Sequence, residues 1–138
     1  MTALAPILQA YFTQRLAQRQ ASAHTVASYR DTFSLLLRFA QQQLGTPPSR
    51  LDLADVDAAL VGAFLDHLET GRGNSAATRN NRLAAIHSLF GYLALQHPEH
   101  AASVQRVLAV PPKRTDRNLV TSYVVLSLSM LHGAPGGQ

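Results

Sequence analysis

The sequence predicts an all-α bundle of four main helices plus a short fifth, followed by an extended C-terminal linker and tail. Three observations carry this prediction. Apolar residues recur at three- and four-residue steps through most of the first 110 positions, the period of a helix face and not of a strand. Ser, Asp or Pro stand where these stripes begin, and Gly or Pro where they stop. The composition, 46% hydrophobic and 14% charged over 138 residues, supplies a packed core and excludes a disordered chain.

Leu4, Ile7, Leu8, Tyr11, Phe12 and Leu16 share one face of a first helix over residues 4–20. Pro6 fits its first turn, where a missing N–H costs nothing. Ser22 caps a second helix over 23–44, whose stripe is Val26, Tyr29, Phe33, Leu36, Leu37, Ala40 and Leu44. Gly45-Thr46-Pro47-Pro48 stops it. Leu51 to Asp57 is a short extended or irregular approach to a third helix, from Asp57 to Glu69, with Leu60, Val61, Phe64, Leu65 and Leu68 turned inward. Gly71 to Asn74 is a turn. The central helix follows, capped by Ser75 and ended by His97-Pro98, with a stripe of Leu83, Ile86, Phe90 and Leu93 that Leu89 widens. Glu99–Ala109 is a fifth, short helix. Two prolines and four charges in Val110–Val120 mark a linker. Val124–Leu131 is an uncharged β-prone run, and the Gly-rich end at 133–138 is expected to be disordered.

Charge is unevenly spread within a net +4. Residues 1–70 hold five Arg against six acids; residues 71–118 hold seven Lys or Arg against two. A basic half on a compact domain suits a polyanion, with nucleic acid the first candidate. Five of the eight acids fall at 52–69, a segment expected to face away from it. The central helix carries no acid between Asn74 and Gln96. Thr78, Arg79, Asn81 and Arg82, with Ser88 two turns on, lie off its apolar stripe; Arg pairs with guanine edges or phosphates, and Asn with adenine. His24, Thr25, Ser28 and Arg30 open the second helix, where hydroxyl and N–H groups suit phosphate. Helix capping is the competing role for Thr25 and Ser28, and an ion pair for Arg79. Lys113, Arg114 and Arg117 suit backbone contact from the linker.

The chain has no cysteine, which excludes disulfides, Cys-based zinc sites and a thiol nucleophile. His97 and His100 have metal-like spacing, but Pro98 breaks the helix that would align them, and no third ligand fits. No metal, cofactor or small-molecule substrate is expected. No apolar run is long enough to span a bilayer and no secretory signal opens the chain, so the expected location is the cytoplasm.

Three stretches carry a resemblance to a known family. S-A-H-T-V-A-S-Y-R-D-T-F-S-L-L-L-R-F at 22–39 resembles the Ser-x-x-Thr-x-x-x-Tyr-x-x-Asp-x-x-x-Phe pattern that opens the second helix of tyrosine recombinases (phage integrases, Xer-like). S-A-A-T-R-N-N-R-L-A-A-I-H-S-L-F-G-Y-L at 75–93 is similar to their Thr-x-x-Arg-Leu-x-x-Leu-x-x-Phe-x-x-Leu helix, and P-P-K-R-T-D-R at 111–117 to the linker that leads into the catalytic domain. The resemblance covers about residues 4–120. It implies a SAM-like core-binding domain at 1–110, a basic interdomain linker at 111–120, and double-stranded DNA as partner, gripped by the second and fourth helices as half of a clamp. Other recombinase protomers are a further implied partner. Catalysis in that family belongs to a separate domain with a nucleophilic tyrosine, two arginines, a lysine and histidines.

The chain departs from the family after Val120. No His-x-x-Arg box with a downstream tyrosine follows, and Tyr123 stands alone in the apolar tail. The expectation is therefore a DNA-binding domain that is not itself an enzyme, with 121–138 a truncated or out-of-frame tail. The alternative is a helical interaction or oligomerisation module without DNA affinity.

Overall fold

The computed structural model describes residues 2–114, and these form an all-α bundle. Its α-helices are α1 (Leu4–Ala10), α2 (Ala23–Leu44), α3 (Ala58–Thr70), α4 (Ala76–Gln96) and α5 (Ala101–Leu108). Short 3-10 turns lie at Pro48–Arg50, Leu53–Asp55 and Pro98–His100. Arg117, most of the linker and the whole tail at 121–138 lie outside the described residues.

Caps fall where small polar side chains precede each long stripe. The Ser22 hydroxyl accepts from Thr25 N–H, Asp57 from Leu60 N–H, and Ser75 from Thr78 N–H, at 2.9–3.1 Å. Each satisfies a donor that a first helical turn leaves free. Gly45 takes the left-handed conformation (φ 68°) that closes α2.

The predicted first helix differs from the observed one. After Ala10 the chain widens into a π-helical segment, Tyr11–Leu16, before a final turn. The cause is readable in the core. Tyr11 and Leu16 are both buried, yet residues five apart on an α-helix point about 140° apart. The wider turn returns both to the interior. The segment closes with Gln20 at φ 55°, while Gln20 N–H and Ala21 N–H donate to Ala17 and Leu16 carbonyls at 3.1 and 3.0 Å. That is a Schellman closure made without glycine. The fifth helix also splits, its first turn being the 3-10 segment at Pro98.

α4 is the centre of the bundle and packs against α2, α3 and α5. Leu83, Ala85, Ile86, Leu89, Phe90, Tyr92 and Leu93 are all buried, wrapping more than one face. Each large side chain so buried contributes about 1.5–3 kcal/mol. In α2 the predicted Phe33, Leu36 and Ala40 are buried, whereas Leu44 is 45% exposed because the helix end outruns its neighbours. Thr32 and Phe39, off the predicted stripe, are buried instead. The N-terminus is tied back by Leu4 N–H to the Leu51 carbonyl (3.0 Å) and Leu53 N–H to the Thr2 carbonyl (2.7 Å). Among the described residues no helix is long and apolar enough to cross a membrane.

Candidate nucleic-acid interface

α2 and α4 begin in the same way. Ser22-Ala23-His24-Thr25 and Ser75-Ala76-Ala77-Thr78 each place a serine cap whose hydroxyl also donates to the threonine hydroxyl, at 3.0 and 3.1 Å. The first turns of both helices line one open depression of about 360 Å³, bordered by His24, Ser28, Asp31, Thr78, Asn81 and Arg82. A second hollow of about 270 Å³ continues it past Thr25, Tyr29 and Ala84. The N-terminal halves of two helices thus bring polar side chains to one surface. His24 and Asn81 are exposed there. Asp31 is an acid on the rim that charge counting along the sequence does not locate.

Six of the expected residues therefore come together: His24, Thr25, Ser28, Thr78, Asn81 and Arg82. Others are drawn elsewhere. Arg30 stacks its guanidinium 5.0 Å from the Phe12 ring, beside a separate hollow against α1. Ser88 faces inward, its hydroxyl 2.6 Å from that of Tyr11. Burial raises the Tyr11 phenol above its ordinary range, and the Ser88 bond partly offsets this.

The two arginines of α4 hold the bundle together. Arg82 Nη1 donates to Thr32 Oγ1 at 2.9 Å and to the Ser28 carbonyl at 3.3 Å, bridging α4 to α2. Arg79, its side chain only 12% exposed, sits with Nε 3.2 Å from Glu69 Oε1. That is an ion-pair distance with poor hydrogen-bond alignment, and Arg79 Nη1 is buried without a hydrogen-bond partner among the described residues.

Glu69 also receives Lys113 Nζ at 2.9 Å. The acidic segment is therefore not uniformly turned away from the basic start of α4. Its last acid lies beside that start, because α3 ends in the turn that leads into α4. Asn80, absent from the expected set, clamps the chain after α5. Its side-chain N–H donates to the Lys113 carbonyl (2.6 Å), and its side-chain oxygen accepts from Lys113 N–H (2.7 Å). No local pattern announces this contact across 33 positions. Arg114 is exposed beyond it. His97 and His100 lie with their rings 6.3 Å apart and are engaged separately, His97 by Glu99 and His100 by the Thr2 hydroxyl.

These features define a helical-bundle module with a polar face at the paired starts of α2 and α4. The family described as "Phage integrase, N-terminal SAM-like domain" matches residues 8–97. The chain belongs to this family, the phage integrases or tyrosine recombinases. It is 53% identical over 133 residues to y4rC of Sinorhizobium fredii, a protein carrying a provisional integrase/recombinase name, covering 96% of this chain and 40% of that one. It is 48% identical to y4rD of the same organism, covering 96% and 47%. Tyrosine recombinase XerC of Xanthomonas campestris is 30% identical over 122 residues, covering 87% and 36%. The chain thus spans less than half the length of these relatives. No solved structure matches it.

Proposed function

We propose that this chain binds double-stranded DNA as the core-binding domain of a site-specific tyrosine recombinase, serving DNA integration or recombination. The observation that carries the reading is the convergence of His24, Thr25, Ser28, Thr78, Asn81 and Arg82 on one face built from two helix starts. Hydroxyls and free N–H groups of both first turns meet phosphate oxygens. Asn81, exposed on α4, reads a base edge in the major groove. Residues 1–110 form the binding domain, and Arg114 and Arg117 of the linker at 111–120 neutralise backbone charge, Lys113 being paired with Glu69. Arg79 and Arg82 act mainly by holding α3, α4 and α2 in place. Strand cleavage and rejoining are assigned to residues beyond this domain, so the domain needs no cofactor or metal of its own.

The test is fluorescence anisotropy with a duplex of about thirty base pairs, titrated against salt. A steep salt dependence is expected, with affinity lowered in Asn81→Ala and His24→Ala while both variants melt like the parent. Absence of binding at low salt, with concentration-dependent self-association instead, would replace this reading by the oligomerisation module.

A further inference from the structure

The ridge of α2 that borders the proposed DNA face does not end there. His24, Ser28 and Asp31 are followed at helical steps by Leu35, Arg38 and Gln42 on the same side. These last three border another hollow, of about 240 Å³, closed on its far side by α3 and the turn after it. Arg38, Gln42, His67 and Arg72 supply its polar wall over a floor that includes Phe39 and Phe64, and no acidic side chain lines it.

The turn is built to deliver Arg72 to this place. Gly71 N–H and Arg72 N–H both donate to the His67 carbonyl, at 2.8 and 3.2 Å. A Cβ on Gly71 would lie 2.8 Å from His67 Nδ1 and 3.0 Å from the His67 carbonyl oxygen, so only glycine lets the turn close so tightly. His67 is in turn stacked on Phe39, ring centroids 5.2 Å apart. Two guanidinium-bearing residues are thus set around one hollow, and neither forms an ion pair among the described residues. Both guanidinium groups are exposed and so remain available to an anion that enters the hollow.

We infer that this hollow is a second phosphate site, which takes a backbone phosphate of the same duplex. The inference rests on the DNA-binding reading and extends it. Arg38 lies ten residues beyond Ser28, or about 15 Å along α2. A duplex with one charge per about 1.7 Å of axis offers phosphates at that separation. Arg38 and Arg72 grip the phosphate oxygens, and the Gln42 amide supplies a neutral donor. The contact is blind to sequence, unlike that of Asn81.

The experiment compares the full chain with Arg38→Gln/Arg72→Gln and Arg38→Lys/Arg72→Lys on two duplexes of unrelated sequence. The Gln variant should lose about one unit of salt slope, or about tenfold in affinity at 0.1 M salt, equally on both duplexes. The Lys variant should recover most of the slope. In the parent, DNA should shift the amide resonances of Gly71 and Arg72, a readout that does not depend on how the variants fold. An unchanged slope, or a turn silent to DNA in a parent that does bind, overturns the second site and leaves the first face standing. A parent that binds neither duplex overturns both readings. Amide shifts of the turn with inorganic phosphate alone would then mark a free-anion site in place of a DNA contact.

Discussion

Replacing Arg82 with methionine measures its structural role in the bundle. Methionine keeps the apolar stem and removes the guanidinium. Two hydrogen bonds from a charged donor are lost, to Thr32 Oγ1 and to the Ser28 carbonyl. Charged hydrogen bonds contribute about 1.5–3 kcal/mol each. Two facts lower the sum. Thr32 keeps its own donation to the Ser28 carbonyl at 3.1 Å, so neither acceptor is wholly orphaned. Arg82 Nε is buried without a hydrogen-bond partner among the described residues, and removing it relieves a desolvation cost of about 1–3 kcal/mol. The net expectation is a loss of about 2 kcal/mol. A unit of about 110 residues unfolds with an entropy near 0.24 kcal/mol/K, so the melting temperature should fall by roughly 8 °C. Thermal and urea unfolding followed by circular dichroism measure it, with DNA anisotropy at a temperature where the variant stays folded. Stability within about 0.5 kcal/mol of the parent would refute the cross-link, since that is the scatter of ordinary surface substitutions.

Three further outcomes follow from other contacts. Asn80→Ala removes both bonds to Lys113, so trypsin should cut after Lys113 and Arg114 several-fold faster while the melting temperature moves little; unchanged cleavage would mean the clamp does not hold the segment. Gln20→Gly should stabilise the domain by up to about 1 kcal/mol, because φ 55° strains a residue with a Cβ, and a destabilised variant would contradict the Schellman geometry. Asp52→Ala should cost about 1 kcal/mol near neutral pH, as for a lost N-cap. Hydrogen bonding by Ala54 N–H, then by Thr2 N–H, holds the Asp52 carboxyl below its ordinary range. A depressed folded value contributes stability above the unfolded pKa of about 3.9, and that contribution is lost as pH falls through the folded value. The gap between parent and Asp52→Ala should therefore narrow below about pH 4, and a gap constant down to pH 2 would sink the assignment.

The parts legible in the sequence are those decided within a few residues. Ser22 and Ser75 mark their helix starts because a cap acts on the next turn, and Leu83, Ile86, Phe90 and Leu93 mark the core because periodicity is local. The π turn at Tyr11–Leu16 is not legible in this way, because Phe12 and Leu16 keep the four-residue step of an ordinary helix face. Partnerships across the bundle are different in kind. Glu69 with Arg79, Arg82 with Thr32, and Asn80 with Lys113 depend on how helices are docked, and no short-range pattern encodes that. Ser88 looks like a polar surface position by sequence, yet the hydroxyl of buried Tyr11 needs a partner and finds it there.

The candidate face was therefore easier to locate than to apportion. Thr, Arg and Asn at the start of a helix suit a DNA groove, but the same residue types also cap helices and cross-link them. In this bundle both uses fall on neighbouring positions of α4. Arg79 and Arg82 turn toward α3 and α2, Asn80 toward the chain after α5, and Asn81 alone of these four is exposed. A loss of DNA affinity in an Arg79 or Arg82 variant would thus be ambiguous, because the face depends on the helix positions those side chains maintain. Asn81, together with His24 on the facing helix, is where a binding defect without a folding defect can be sought. Arg38 and Arg72 meet the same condition at the other end of α2, being exposed and outside every ion pair of the described residues. Substitutions at those four positions can separate recognition from architecture, as substitutions at the two arginines of α4 cannot.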